Sequence, residues 1–289
     1  MTISTALGII GYPIGHSISP IFQQAALDNL DIGAQYRAYE VDPADVGSFV
    51  GSLRADSVSG INVTVPHKEA VMPFLDEIDE WAAEAGAVNT IVNRSGHLTG
   101  YNTDGYGFLR ALRESGGLEP AGKTALILGA GGSARGVVQA LLRADIGALT
   151  IANRTLARAQ SLAELAGPRG VEANAISLPS PEAGPAALSA DLIVNCTSLG
   201  MRHGPDEDAS PLRPEEIPPT ALVYDLVYNP MQTPLLRVAE LAGANTLGGI
   251  SMLVYQGAAS FEIWLERPAP VGVMMDAALA AMRQRESGA

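Results

Sequence analysis

The sequence predicts a two-domain α/β fold on parallel sheets, and three observations carry that expectation. Short apolar runs alternate with amphipathic stretches, the pattern of strands joined by crossover helices. Several runs, ALILGA among them, are hydrophobic almost without interruption, as suits a sheet covered on both faces. The 289 residues, 47% hydrophobic and 17% charged, suffice for about two domains with buried cores.

In the first hundred residues the strand-like runs are ALGIIGY, QYRAYEV, GINVTVP and AVNTIVNR. Between them fall helical patterns: Ser19 to Ile32, with Ile21, Ala25 and Leu30 on one face, and PADVGSFVGSLRA. TDGYGFLRALRESG reads as the helix joining the two halves. Beyond it come KTALILGA, ALTIANR, VEANAISL, DLIVNCTS and ALVYDLVY, each beside a helical segment. RHGPDEDASPLRPEEIPP, rich in proline and acid, reads as a surface loop. From Ile250 the chain becomes wholly helical, and the two terminal helices are expected to pack back on the first domain.

Net charge is −13, from 31 acidic and 18 basic residues, a field that repels nucleic acid and anionic membranes. Neither is expected as a partner, and any anionic ligand needs local basic groups. The one cysteine, Cys196 in DLIVNCTS, excludes an intrachain disulfide and reads as a small hydrophobe in a buried strand. His16, His67, His97 and His203 show no metal-ligand spacing, so no metal is expected. The N-terminus MTISTALGIIGYP has no basic region and no long apolar run, which makes a cytoplasmic location the expectation.

LILGAGGSARG follows a strand-like run and opens a helix. Glycines at 129, 131 and 132 permit a tight turn and let backbone N–H groups approach a pyrophosphate at the helix N-terminus. Ala134 replaces the third glycine of the usual fingerprint and is still small enough for close helix–sheet packing. In NAD-binding units the end of the next strand carries an acid for the ribose 2′-hydroxyl. Here it reads TIANRTLARA, without an acid and with Arg154 and Arg158. Two guanidiniums bond a 2′-phosphate that a carboxylate would repel, so NADP(H) is expected over NAD(H). A plain glycine turn with Arg158 in solvent is the blander alternative.

Only two of the 18 basic residues are lysines, Lys68 and Lys123. Lys68 follows an apolar run and Pro66. It reads either as an exposed first-turn residue or as a proton carrier, a role closed to arginine, which stays protonated at any working pH. Hydroxyl and amide groups recur after the apolar runs of the first domain: Ser17 and Ser19, Asn62 and Thr64, Asn89 and Thr90, Asn102 and Asp104. If the strands are parallel, their C-terminal ends share one sheet edge, and these residues surround a pocket for a small polyhydroxylated molecule.

In order, the chain contains GYPIGHSISP, NVTVPHK, GAVNT, GYNTDGYG, GAGGSARG, NRTLARA, NCTSLGM, YDLVYNP and GGISMLVYQGAASFEIW. Through these nine motifs it resembles the shikimate dehydrogenase family along almost its whole length. The resemblance implies a split substrate domain (1–104 and 250–289) with an inserted Rossmann NADP-binding domain (105–249). It implies reversible reduction of 3-dehydroshikimate to shikimate with NADPH, in chorismate and aromatic amino acid synthesis. Ser17 and Ser19 would bind the substrate carboxylate. Thr64, Asn89, Asp104, Tyr228 and Gln256 would bind ring hydroxyls, with Asn62 beside them. Gly129, Ala130, Gly131, Gly132 and Ser133, with Asn153, Arg154, Thr155 and Arg158, would hold the cofactor. Leu226 and Gly249 would lie by the nicotinamide, Met201 near the cofactor, and Glu80 on the cofactor side.

Lys68 would be the acid and base that moves the hydroxyl proton as hydride moves, with Asp104 alongside. An ion pair with Asp104 raises a lysine pKa and burial lowers it, so the two are expected to titrate together. One position departs from the family: Gln23 stands where a histidine is common, which puts that ring's packing role in doubt. A quinate/shikimate or aminoshikimate dehydrogenase is the nearest alternative, and a ligand-sensing paralogue without turnover is a further one. A monomer or a homodimer is expected.

Overall fold

The computed structural model of the chain describes residues 6–55, 57–204 and 206–287. It divides into two compact units, one drawn from Met1–Gly107 and Val254–Ala289, the other from Phe108–Leu253. The sequence places the division at 104/105 and 249/250. The observed crossings fall a few residues later, inside helices.

The first unit opens with β1 (Ala6–Gly11), α1 (Ser19–Asn29), β2 (Gln35–Glu40), α2 (Val46–Ser52) and β3 (Val58–Val63). It continues with β4 (Glu77–Ile78), α3 (Glu80–Ala85), β5 (Thr90–Arg94) and β6 (His97–Tyr101), and α4 (Asp104–Glu114) leads out of it. Its sheet runs β2-β1-β3-β5-β6-β4. β2, β1 and β3 are mutually parallel, but β5 is antiparallel to β3 and β6 to β5. This corrects the all-parallel premise. The reason is local: a two-residue turn with positive φ at Ser95 (53°) and Gly96 (85°) reverses the chain between β5 and β6.

The second unit contains β7 (Thr124–Leu128), α5 (Gly132–Arg143), β8 (Ala148–Asn153), α6 (Leu156–Ala163) and β9 (Glu172–Ser177). α7 (Ala183–Leu188), β10 (Leu192–Asn195), β11 (Leu222–Asp225), α8 (Pro234–Leu241) and β12 (Asn245–Gly248) complete it. All its strand pairs are parallel, in the order β12-β11-β10-β7-β8-β9, which is the doubly wound Rossmann order. β10 and β11 are buried at every residue, as a sheet covered on both faces requires. Cys196 lies one residue beyond β10 and is half-buried, which corrects the expectation that it sits within the strand.

α9 (Ile250–Leu265) leads back to the first unit and α10 (Val271–Ser287) ends the described chain. Trp264 on α9 donates its indole N–H to Ile91 O at 2.9 Å, directly over Gly60 of β3. A Cβ on Gly60 would strike both the indole and that carbonyl, so glycine is what lets α9 approach this closely. α10 packs against α1, and Arg285 donates to His16 O at 2.9 Å. The buried face of α1 is Phe22, Gln23, Ala26 and Leu27, not the expected Ile21, Ala25 and Leu30. Ile21 is 46% exposed. The register is set by Phe22, whose ring is fully buried and lies where a side chain on Gly257 of α9 would go.

Candidate active site

The polar residues of the first unit do converge on one sheet edge, by a route other than parallel strands. Asn62 near the end of β3 pairs with Thr90 at the start of the reversed β5, and Thr90 pairs with Tyr101 at the end of β6. Two ends and one beginning thus meet. Thr64, Lys68, Asn89, Asn102, Thr103 and Asp104 are on the chain that enters or leaves these strands at that edge.

Lys68 Nζ lies 2.5 Å from Asp104 Oδ2, with both side chains about a quarter exposed. Lys68 is therefore not a solvated first-turn residue. The backbone around it is fixed: Val88 N–H donates to Lys68 O at 2.8 Å, and the preceding Val65–Pro66 peptide is cis. Asp104 opens α4, and its backbone N–H donates to Asn102 Oδ1 at 3.0 Å. Its second carboxylate oxygen accepts Asn89 Nδ2 at 2.9 Å. Both oxygens of Asp104 therefore receive donors, as an ionised carboxylate can.

Asn89 is 2% exposed and uses its whole amide. Its oxygen accepts from Thr90 Oγ1 (2.9 Å), Thr103 N (2.8 Å) and Thr103 Oγ1 (3.1 Å), while its nitrogen also approaches Gln256 Oε1 at 3.3 Å. Its observed part is to aim Asp104 and Gln256. Asn62 lies deeper. Its oxygen accepts Tyr36 Oη at 2.7 Å, and its nitrogen points to Ser260 Oγ (2.9 Å), Asn89 O (3.1 Å) and Thr90 Oγ1 (3.2 Å). It is 4% exposed, and both ends of its amide are bonded within the first unit. Burial pushes the Tyr36 phenol well above its ordinary pKa, which keeps it a neutral donor to Asn62. Thr103 and Ser260 belong to this layer; they lie inside the motifs GYNTDGYG and GGISMLVYQGAASFEIW but do not stand out there. Only their contacts reveal them.

Ser17 Oγ accepts the backbone N–H of Ser19 at 3.2 Å where α1 begins. Ser17 is half-buried and Ser19 is 4% exposed. Thr64 is half-buried, with its methyl where a Cβ on Gly11 would sit, so it is held against the end of β1. Gln23, at the unusual position, is 1% exposed and donates Nε2–H to Gly257 O at 2.8 Å. It ties α1 to α9.

In the second unit Gly129 has φ +106°, a conformation that strains any other residue. Its N–H donates to Ala152 O at 2.7 Å. At Gly131 and Gly132 an added Cβ would meet nothing within 4 Å, so the N-terminus of α5 faces open space. The twelve-residue helix behind it buries Ala134 fully. Asn153 accepts Ala130 N–H at 3.2 Å and donates to Thr155 O at 2.9 Å, which pins the glycine turn to the end of β8. Ser133, Arg154, Thr155 and Arg158 are exposed beside it. Neither Arg154 nor Arg158 has a side-chain hydrogen bond or ion pair among the described residues. Open space at a helix N-terminus, flanked by two unpaired guanidiniums, fits a phosphorylated dinucleotide.

Gly249 lets the Leu226 carbonyl approach so closely that a Cβ would collide with it. Met201 is 40% exposed, and Tyr228 lies on the segment after β11. Glu80 begins α3 in the first unit, so it is not grouped with the other cofactor candidates of the second. Beneath Leu226, Asp225 is fully buried and accepts from Asn195 Nδ2 (2.9 Å), Val227 N (3.0 Å) and Thr233 Oγ1 (2.6 Å). Burial raises its pKa to about 6 against the pull of those donors. Burial and the Asp225 charge also raise the Cys196 thiol, which makes it unreactive. Among the described residues there is no group of His, Cys, Asp and Glu fit for a metal, and no helix is long and apolar enough to cross a membrane.

Residues 9–91 match the family described as the shikimate dehydrogenase substrate binding domain. Residues 112–202 match shikimate / quinate 5-dehydrogenase, and 249–279 the shikimate 5′-dehydrogenase C-terminal domain. A shikimate dehydrogenase (NADP(+)) of Symbiobacterium thermophilum is 47% identical over 96% of this chain and 94% of its own. Shikimate 5-dehydrogenase of Thermus thermophilus, solved with NADP(H) and shikimate, superposes with a TM-score of 0.84 at 36% identity, over 96% of this chain and 99% of its own. Quinate dehydrogenase of Corynebacterium glutamicum, solved with NAD, superposes with a TM-score of 0.87 at 30% identity, over 96% and 99%.

Proposed function

The chain belongs to the shikimate dehydrogenase family, and we infer from this that it reversibly reduces 3-dehydroshikimate to shikimate with NADPH. The observation that carries the chemistry is the Lys68–Asp104 pair, 2.5 Å apart at the edge where the first unit gathers its polar groups. A bound NADPH supplies hydride to the ring carbonyl carbon. Lys68 Nζ gives a proton to the carbonyl oxygen as it becomes a hydroxyl, and takes it back in the reverse direction. Asp104 accepts from Lys68 through Oδ2 and from Asn89 through Oδ1, so it holds the ammonium in place.

Ser17 and Ser19 receive the substrate carboxylate with hydroxyl donors near the start of α1, where helix N–H groups favour an anion. Thr64, Gln256 and Tyr228 meet ring hydroxyls, with Asn89 and Asp104 fixed behind them. Arg154 and Arg158 bond the 2′-phosphate, and the glycine turn receives the pyrophosphate. A cytoplasmic enzyme, monomeric or homodimeric, goes with this reading.

A second reading, oxidation of a hydroxyl on the saturated ring of quinate to the ketone, is favoured by the equally good superposition on quinate dehydrogenase. Initial rates with shikimate and quinate, each against NADP and NAD, separate the two. Shikimate with NADP should give the highest kcat/KM. Quinate with NAD in that place would reverse the assignment.

A further inference from the structure

We infer that Thr90 and Ser260 are positioning residues, whose hydroxyls set the Asn89 amide and through it the Asp104 carboxylate that holds Lys68. The inference rests on the dehydrogenase reading, but its carrier is the direction of the hydrogen bonds. Asn89 Oδ1 can only accept, so the Thr90 hydroxyl, 2.9 Å away, must direct its proton there. Thr90 Oγ1 then has only acceptor capacity left toward Ser260 Oγ at 2.7 Å, so in this chain Ser260 turns its one proton there and away from Gln256 O, to which it otherwise donates at 3.1 Å. Ser260 in turn accepts from Asn62 Nδ2 at 2.9 Å, and Asn62 Oδ1 accepts the Tyr36 hydroxyl at 2.7 Å.

The result is a one-way chain: Tyr36 to Asn62, to Ser260, to Thr90, to Asn89, to Asp104. Along this path each donor points toward the carboxylate, with side branches from Asn62 to Thr90 at 3.2 Å and from Asn89 to Thr103 Oγ1 at 2.9 Å, and successive donors aligned in this way polarise one another. Thr90 and Ser260 are both fully buried, so water does not replace either hydroxyl. Removing Thr90 breaks the chain, and removing Ser260 leaves only the longer Asn62 Nδ2–Thr90 Oγ1 bond of 3.2 Å, so either change loosens the Asn89 N–H that orients Asp104 toward Lys68. The charged group facing Asp104 is Lys68, while the segment before β5 and the helix α9 present only the neutral Asn89 and Gln256.

The test compares Thr90→Val, Thr90→Ser, Ser260→Ala and the Thr90→Val/Ser260→Ala double variant. Thr90→Val and Ser260→Ala should each lower kcat by about three- to thirtyfold, the worth of one hydrogen bond, with KM for NADP unchanged. Thr90→Ser, which keeps the hydroxyl, should stay within about threefold of wild type. In the first two the loss should fall on kcat, with KM for shikimate moving far less, because the Lys68–Asp104 pair is misplaced while the binding groups remain. The double variant should cost no more than the worse single one, since a chain is broken once.

Ser260→Ala deletes one atom and keeps the test open if Thr90→Val does not fold. The side-chain amide of Asn89, followed by NMR hydrogen exchange, reads the chain without turnover, so it answers even if the substrate assignment fails. Protection in wild type and faster exchange in the variants is the expected result. Wild-type kcat and exchange in both single variants would overturn the inference, as would costs that simply add in the double.

Discussion

Lys68 Nζ and Asp104 Oδ2 meet at 2.5 Å although 36 residues separate them in the chain. One side chain follows β3 and the other begins α4, and the reversed β5–β6 hairpin between them brings the two to one edge. A lysine held there by a carboxylate is a proton donor with a fixed position. Lys68→Ala should lower kcat by roughly 10²–10⁴-fold and change KM for shikimate far less. Steady-state kinetics checks this, and a loss confined to KM would make the lysine a binding group.

Ser17→Ala should remove one donor from the substrate carboxylate and weaken shikimate binding by about 1–3 kcal/mol. The methyl ester of shikimate already lacks the charged partner, so its binding should be insensitive to the substitution. Calorimetry with acid and ester makes the comparison. Equal losses for both would take Ser17 out of the carboxylate site.

Arg154→Ala should raise KM for NADP about 10–150-fold, the range of a lost charge-assisted bond, and leave KM for NAD within about threefold. Arg158→Ala, one turn further along, should act the same way more weakly. The penalty should shrink at high ionic strength, because the exposed guanidiniums are screened there. Rates with both cofactors at two salt concentrations decide it. Equal loss for NAD and NADP would make Arg154 structural.

Much of this is legible in the sequence, for reasons that particular residues make plain. In the second unit, hydrophobic runs, the glycine turn at 129–132 and the arginines after β8 are local signals, and the fold follows from them. The first unit is harder. HLTGY and EI are short and polar, so β6 and β4 do not stand out as strands, although the Ser95–Gly96 turn signals a hairpin. β12, the four residues NTLG, is likewise too short to stand out. The buried bonds of Asn62 are not legible in the sequence, because an amide at a strand end looks the same whether it faces a pocket or a core. Its neighbours Tyr36 and Ser260 lie 26 and 198 residues away, and no spacing rule connects them. The face of α1 is misread because a buried Gln23 does not look like core.

Asp225 gives a stability prediction with a definite sign. Its folded-state pKa of about 6 lies above the value of an unfolded aspartate, so the folded protein favours its neutral form. Its contribution is present at low pH and is lost as pH rises from about 4 to about 6. Asp225→Asn should therefore gain on wild type across that window, by on the order of 3 kcal/mol. Asp76, held at about 2 mainly by Arg54, acts in the opposite sense at lower pH but is common to both proteins and cancels. Urea unfolding of both proteins at several pH values reads the difference. A difference independent of pH would mean that Asp225 stays ionised throughout.

Hydride from NADPH should reach the ring carbonyl of 3-dehydroshikimate on this protein, and the roles given to Lys68, Ser17 and Arg154 depend on that transfer. The most direct measurement uses NADPH deuterated at the nicotinamide C4, in each of its two stereoforms, with deuterium in the product located by NMR. Label should arrive from one stereoform only, on the ring carbon that carries the new hydroxyl. Unlabelled shikimate from both, or no reduced product at all, would contradict the assignment.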